Sequence, residues 1–263
     1  MAVTSFSFAQ VWVEKVDSLQ VNKTLIPPLV TKVQMEAITA AEGLMVYCMD
    51  CTPRGLYVNN GATFFPIGVS FFAGEVYSAA GRVWMDKNLG ATQVATSSTD
   101  AAAYGTLYQW GRNTDGHESR TSTTTPGPAA DAATAGSNFI TVNAPPNDWL
   151  TTADDTLWNG VLKGTEDPCP TGYRVPTNTE LNNELLLFTS NDAAAAFASA
   201  LKLPVGGYRY FSDGMLFNVG GSGYYWSSTV SGSSAFYLGF ASGAANISIT
   251  TRAFGFSVRC IKE

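Results

Sequence analysis

From Gly214 to Thr251 the chain carries no Asp, Glu, Lys or Arg, reading GMLFNVGGSGYYWSSTVSGSSAFYLGFASGAANISITT. A bilayer span needs about 20 mainly apolar residues in succession, and here Gly and Ser interrupt every apolar run. A flexible linker would lack the aromatic and β-branched residues. Folded β-structure remains, with exposed side chains that are small, polar or aromatic rather than charged. Alternation supplies the detail. In SAFYLGFAS, period 2 sets Phe236, Leu238 and Phe240 on one face and Tyr237, Gly239 and Ala241 on the other. In NISIT, Ile247 and Ile249 are expected to point inward and Asn246, Ser248 and Thr250 outward. The SGAA between them is a turn signal, so the two strands should pair. The outward residues then form one patch, extended by Thr251, Ser231, Ser233 and Ser234.

The rest of the chain supports a globular reading. It has 263 residues, of which 45% are hydrophobic and 12% aromatic, enough for a buried core. Only 14% are charged, so polarity comes from Ser, Thr, Asn and Gly, which favour turns and strands over long helices. A net charge of −6 without any basic stripe argues against nucleic acid and against a membrane surface. The opening MAVTSFSFAQVWVEKVDSLQ has neither a basic start nor a continuous apolar run and does not read as a signal peptide.

Residues 1–68 read as a small β-rich module. Phe6, Phe8, Val11 and Val13 mark a strand, and Pro27-Pro28 forces an extended connector. Thr31 can cap a short helix that Gly43 would stop, and Pro-Arg-Gly and Asn-Asn-Gly then punctuate consecutive hairpins. With so little core, such a module is expected to oligomerise or to pack on a neighbour, with Trp12 and the hairpin aromatics in the contact. Residues 69–263 differ in texture. They carry aromatic-dense segments, a low-complexity surface loop at 119–137, and one good helical stretch after Thr177 that breaks at TSND. The sum is an α+β fold: one or two helices against irregular β-structure.

Five motifs occur in order: GRVWMDKNLGA, YGTLYQWGR, DPCPTGYRVPTNTEL, YYWSST and RAFGFSVRCIKE. Together they resemble the Fibrobacter succinogenes major paralogous domain, a C-type-lectin-like fold that includes the variable proteins of diversity-generating retroelements. The resemblance implies a C-type-lectin-like ligand-binding domain over 69–263, and the preceding AAEGLMVYCMDCTPRGLYVNNGATFFPI is similar to short hairpin modules that precede such domains in surface and phage-tail proteins. It implies a pairing of Cys169 with Cys260, to which a buried pair of free thiols is the alternative. It also implies adhesion: a receptor-binding protein of a phage tail, homotrimeric, meeting a host-surface protein or glycan, with a bacterial cell-surface module as the alternative. Against the family's Asn-rich texture, Gly239, Ala241, Ala244, Ser248, Thr250, Thr251 and Phe254 are each reachable from an Asn codon by adenine changes alone. The implied ligand-contacting set is therefore Ser231, Ser233, Ser234, Phe236, Tyr237, Gly239, Ala241, Ala244, Asn246, Ser248, Thr250, Thr251 and Phe254.

Other features carry less. Cys48 and Cys51 sit in a hairpin context, not at a helix N-terminus, and two further soft ligands for zinc are missing, so a local disulfide or two plain thiols is expected. His117, the one histidine, lies in a loop without a partner nucleophile and is expected to be solvent-exposed. NTDGHE and NDWLTTADDTLWNG could offer carboxylates to calcium but lack EF-hand spacing, and read as solvated loops. Trp226 is expected in the core with its indole N–H on a backbone carbonyl. The formylglycine-generating enzymes, a related branch, need a reactive cysteine pair that the C-terminal region does not offer. No catalysis, cofactor or metal is expected.

Overall fold

The computed structural model describes residues 27–263 apart from 40, 52–54, 60–63, 67–73 and 159. The expected strand at residues 6–13 and the contact through Trp12 lie outside them. The chain divides into two compact units, Met1–Val69 and Ser70–Glu263.

In the first unit, β1 (Leu29–Val30) runs parallel to β2 (Met45–Cys48), which pairs antiparallel with β3 (Gly55–Asn59) and on to β4 (Phe64–Pro66). Thr31 caps the one-turn helix α1 (Lys32–Glu36) in a reciprocal box with Gln34. The helix stops well short of Gly43, which instead takes positive φ in the turn before β2. Cys48 and Cys51 form a disulfide next to Met35, Val46 and Tyr57.

The second unit holds short strands joined by long loops. In chain order these are β5 (Glu75–Tyr77), β6 (Val83–Met85), β7 (Tyr108–Gln109), β8 (Thr124–Pro126), β9 (Phe139–Thr141) and β10 (Tyr173–Arg174). Then follow β11 (Tyr208–Arg209), β12 (Leu216–Phe217), β13 (Gly223–Ser231), β14 (Ser234–Ala241), β15 (Ala244–Thr251), β16 (Gly255–Phe256) and β17 (Ile261–Lys262). They assemble as β10-β17-β6-β5, β12-β11-β16-β7, the meander β13-β14-β15, and the parallel pair β8-β9. The stretch after Thr177 splits into α2 (Asn178–Leu185) and α3 (Ala193–Ala198), because Asp192 starts a new helix by accepting the Ala195 N–H.

This corrects the expected fold class. The α+β, C-type-lectin-like arrangement is not what the described residues form; they are β-rich, in several small sheets with only three short helices. The physical reason lies in the punctuation. The chain carries twenty-five glycines and twelve prolines, the described strands of the second unit outside β13–β15 run only two or three residues, and TSND cuts the one long helical pattern in half.

So many loops leave many backbone groups without ladder partners, and each must be satisfied if buried. Buried arginines and tryptophans do this. Arg209 donates to the carbonyls of Ser119, Ser122 and Gly214; Arg259 donates to Leu201 O and Asn88 Oδ1; Arg112 donates to Asn138 O and Gly136 O. Trp226, Trp110, Trp149 and Trp158 each give their indole N–H to a backbone carbonyl, of Tyr108, Ser227, Trp110 and Glu166. The expectation for Trp226 is met at 2.7 Å.

Candidate binding face

From Gly223 onward the charge-free run is the meander, and its first part supplies β12 and a loop. Gly232-Ser233, with Gly232 at positive φ as a primed turn requires, links β13 to β14, and Ser242-Gly243 links β14 to β15. The β14–β15 register is unbroken over eight pairs, from Ser234↔Thr251 to Ala241↔Ala244. The β13–β14 register shifts between Trp226 and Val230.

Parity divides the expected ligand-contacting residues between two faces. Tyr237, Gly239, Ala241, Ala244, Asn246, Ser248 and Thr250 share one face with Tyr224 and Trp226 of β13. Ser231, Ser234, Phe236 and Thr251 lie on the opposite face, which carries Leu238, Phe240, Ala245 and Ile247 into a core formed with Leu181 and Leu185 of α2. Ser233 is exposed in the turn. The set is therefore not one patch.

Two positions differ from expectation for a local reason. Gly239 is buried although its parity is outward: the Tyr237 ring lies across it, so that a Cβ there would sit 2.9 Å from Tyr237 Cε2. Ile249, expected inward, is 50% exposed, because the core under α2 ends at Ile247 and leaves the Phe236–Ile249 pair at its margin.

Around Tyr237 the structure assembles rings that the parity argument does not reach. Tyr237 lies 5.0 Å from Phe256 and 6.0 Å from Tyr224, and Phe254 sits edge-on to Tyr208, Tyr210 and Phe211. Phe217 stacks on Tyr208 at 5.7 Å. Tyr208, Tyr210, Phe211, Tyr224, Tyr237 and Phe254 are all half-buried, and Phe217 is exposed, beside exposed Met215, Leu216 and Val219. Tyr224 Oη accepts from Asn218 Nδ2, whereas no protein partner holds the hydroxyls of Tyr208, Tyr210 or Tyr237 among the described residues. Burial holds the Tyr208 phenol above its ordinary pKa, with the neighbouring tyrosines and Asp213 adding to the effect. The result is an aromatic surface bordered by the exposed carboxylate of Asp213, on which the Tyr208, Tyr210 and Tyr237 hydroxyls are open to a ligand. A readable signal for part of it exists: Tyr208-Arg209-Tyr210 alternates before a Ser-Asp-Gly turn, with the arginine on the buried side.

Residues 13–79 match the phage tail like trimerisation region. No curated protein and no solved structure matches the chain. The match spans the described strands of the first unit and β5, fits a phage-tail-associated protein and supports a homotrimer. No helix among the described residues is long and apolar enough to cross a membrane.

Elsewhere the candidate ligand groups are occupied. Cys169 and Cys260 form a disulfide with Cα atoms 5.8 Å apart. An open cavity of about 480 Å³ is walled by Asp131, Asp154 and Asp155, but their carboxylates are taken by Thr134, Thr156 and Arg252. His117 corrects an expectation: it is fully buried, not solvent-exposed. Its Nε2 accepts the Gln109 N–H at 3.0 Å, which requires the neutral ring with its proton on Nδ1, 2.6 Å from Asp115 Oδ1. Asp115 also accepts from Arg112, and Glu118 from the Gly116 N–H, so this trio is a closed hydrogen-bonded knot.

Burial lowers the His117 pKa below its ordinary 6.5 despite the pull of Asp115. A depressed histidine leaves the unfolded chain binding its proton first, so stability is complete above about pH 6.5 and falls as pH drops below it. The slope should approach 1.4 kcal/mol per pH unit. Glu184 and Asp148, raised by burial, pull the opposite way. Comparison with His117→Gln therefore isolates the histidine: the variant should lose this component of acid sensitivity between about pH 6.5 and 4.5 in denaturant unfolding. NMR titration of the single imidazole supplies the direct check.

Proposed function

We propose that the protein is a trimeric phage-tail adhesin that meets a host-surface ligand, protein or glycan, through the Tyr237 face of its C-terminal meander. The observation that carries this reading is the aromatic surface around Tyr237. Partly exposed aromatic rings, with the hydroxyls of Tyr208, Tyr210 and Tyr237 unpartnered among the described residues, stand beside a run of Ser, Asn and Gly that carries no charge from Gly214 to Thr251, and such a composition is that of recognition surfaces. Aromatic rings offer contact area at low entropic cost, and the hydroxyls offer adaptable hydrogen bonds. Three copies joined through the first unit would raise a weak single-site affinity by multivalency.

On the same reading, the displayed positions of β14 and β15 are those a diversity-generating retroelement would vary. Position 239 would act indirectly, since any side chain there must swing the Tyr237 ring aside and so reset the surface next to it.

The test is binding of the labelled full chain to a panel of bacterial strains and to a glycan array, with mass measured by light scattering. A trimer is expected. Tyr237→Ala and Phe254→Ala should each lower binding at least tenfold with the circular dichroism spectrum retained. Unchanged binding in both folded variants would refute the face, and a monomeric chain would refute the assembly.

A further inference from the structure

The outer edge of β15 has a chemistry of its own. In a two-residue hairpin the residues flanking the loop exchange both backbone hydrogen bonds, and bonded and non-bonded pairs then alternate. Ala241 and Ala244 flank Ser242-Gly243, so Ala244, Asn246, Ser248 and Thr250 spend their N–H and C=O groups on β14. Those of Ala245, Ile247, Ile249 and Thr251 point away from it. The Ser231–Ser234 hairpin gives the same phase independently. The far side of β13 agrees: Trp226 N–H bonds Ser257 O, and Ser257 N–H bonds Tyr224 O, both at 3.0 Å.

Among the described residues no strand lies beyond β15, and none of those four outward amides has a partner. Proteins ordinarily guard such an edge with Lys, Pro, a bulge or a short strand. This one runs Ala244–Thr251 with no charge, no proline and no register shift, and Ile249 stands exposed upon it. It therefore presents unpaired donors and acceptors every second residue, about 6.8 Å apart.

We propose that this edge binds its receptor by strand addition, taking up an extended, uncharged polypeptide segment as a fourth strand of the meander. The inference rests on the reading of this sheet as the receptor-binding part, and deepens it by naming a protein ligand rather than a glycan. A second copy of the same edge is the poorer occupant. Pairing an edge with itself requires a twofold axis, whereas the matched assembly region is threefold. Backbone bonding also explains how side chains at 244, 246, 248 and 250 could change without loss of the docking mode, since main-chain bonds carry affinity and side chains carry choice.

The test uses the full chain and a fluorescein-labelled peptide of alternating threonine and valine, flanked by lysines for solubility. Amide hydrogen exchange is followed with and without peptide, and binding is read by anisotropy. The peptide should slow exchange at Ile247 and Ile249 at least tenfold. Ile249→Pro and Ile249→Lys should abolish its binding. The proline costs no bond to β14, because the Ile249 N–H is not used there; Ser248→Pro, which removes one, should instead unravel the hairpin. Unchanged exchange in the wild-type protein at saturating peptide overturns the proposal, as does peptide binding that survives in folded Ile249→Lys. Protection that grows with protein concentration alone, with a doubled mass, assigns the edge to a second copy and also overturns it. Loss of cell binding in Tyr237→Ala but not in Ile249→Pro would leave the adhesive face standing and remove only strand addition.

Discussion

Replacing both Cys169 and Cys260 by serine is expected to lower the stability of the second unit by about 4–5 kcal/mol, the largest effect of any change argued for this chain. The bond joins residues 91 apart, so its removal frees a long loop in the unfolded chain and restores the corresponding entropy. Folded-state contacts around it are dense. Lys163 Nζ reaches the carbonyls of Cys169 and Tyr173 and the side chain of Asp167, and Asp167 in turn accepts the N–H groups of Cys169 and Val175. On the other side, Cys260 precedes β17, which pairs with both β10 and β6. Equilibrium unfolding in guanidinium, with the slope held constant, reads the difference directly. The Cys48–Cys51 bond closes a separation of only three residues, and its loss should cost under about 2 kcal/mol by the same arithmetic. A midpoint shift of similar size for the two pairs would show that loop length is not what sets the stabilisation.

The parts of this structure that could be read beforehand are those governed by a short-range rule. Period 2 and a turn signal suffice for the β14–β15 hairpin, and Thr177 with Glu180 three residues on suffices for the start of α2, where both halves of the capping box form. What escaped depends on which distant segment covers a given face. Parity assigns Gly239 and Ile249 to their sides of the sheet but does not say that the Tyr237 ring roofs the one, or that the core under α2 stops before the other. His117 sits in a polar loop sequence, yet the Gln109 N–H and Asp115 draw it fully inside. Tyr208 and Phe217 come from a separate hairpin whose approach to β13 no local pattern encodes. The fold class failed for the opposite reason. Motifs carried an architecture with them, while glycine, proline and the Asp192 cap kept every helix among the described residues to eight residues or fewer.

Arg252→Met should destabilise the protein by about 3 kcal/mol or more, because it leaves the buried Asp148 carboxylate without the cation that faces it and removes the bond to Gly232 O, whereas the partner Asp155 is exposed. Arg252 ends the uncharged run, and it is the point where the meander returns to the core. Its side chain is 1% exposed, lies 4.5 Å over the Trp110 ring, and donates to Asp155 and to Gly232 O in the β13–β14 turn. One residue thus fastens the end of β15 to the opposite hairpin. The loss should also depend on pH, with a sign set by Asp148, whose Oδ2 lies 3.9 Å from Arg252 Nη1. Burial already raises the Asp148 pKa, and Arg252 is among the groups holding it down. Without the guanidinium the carboxyl should rise further, so the folded variant binds its proton at higher pH than the unfolded chain does. A raised carboxyl adds stability as pH falls and loses it as pH rises through the folded pKa. The deficit of Arg252→Met should therefore be larger at pH 8 than at pH 5 in urea unfolding. A deficit under 1 kcal/mol, or one that grows on acidification, would mean that Trp110 packing rather than charge pairing holds this end of the meander.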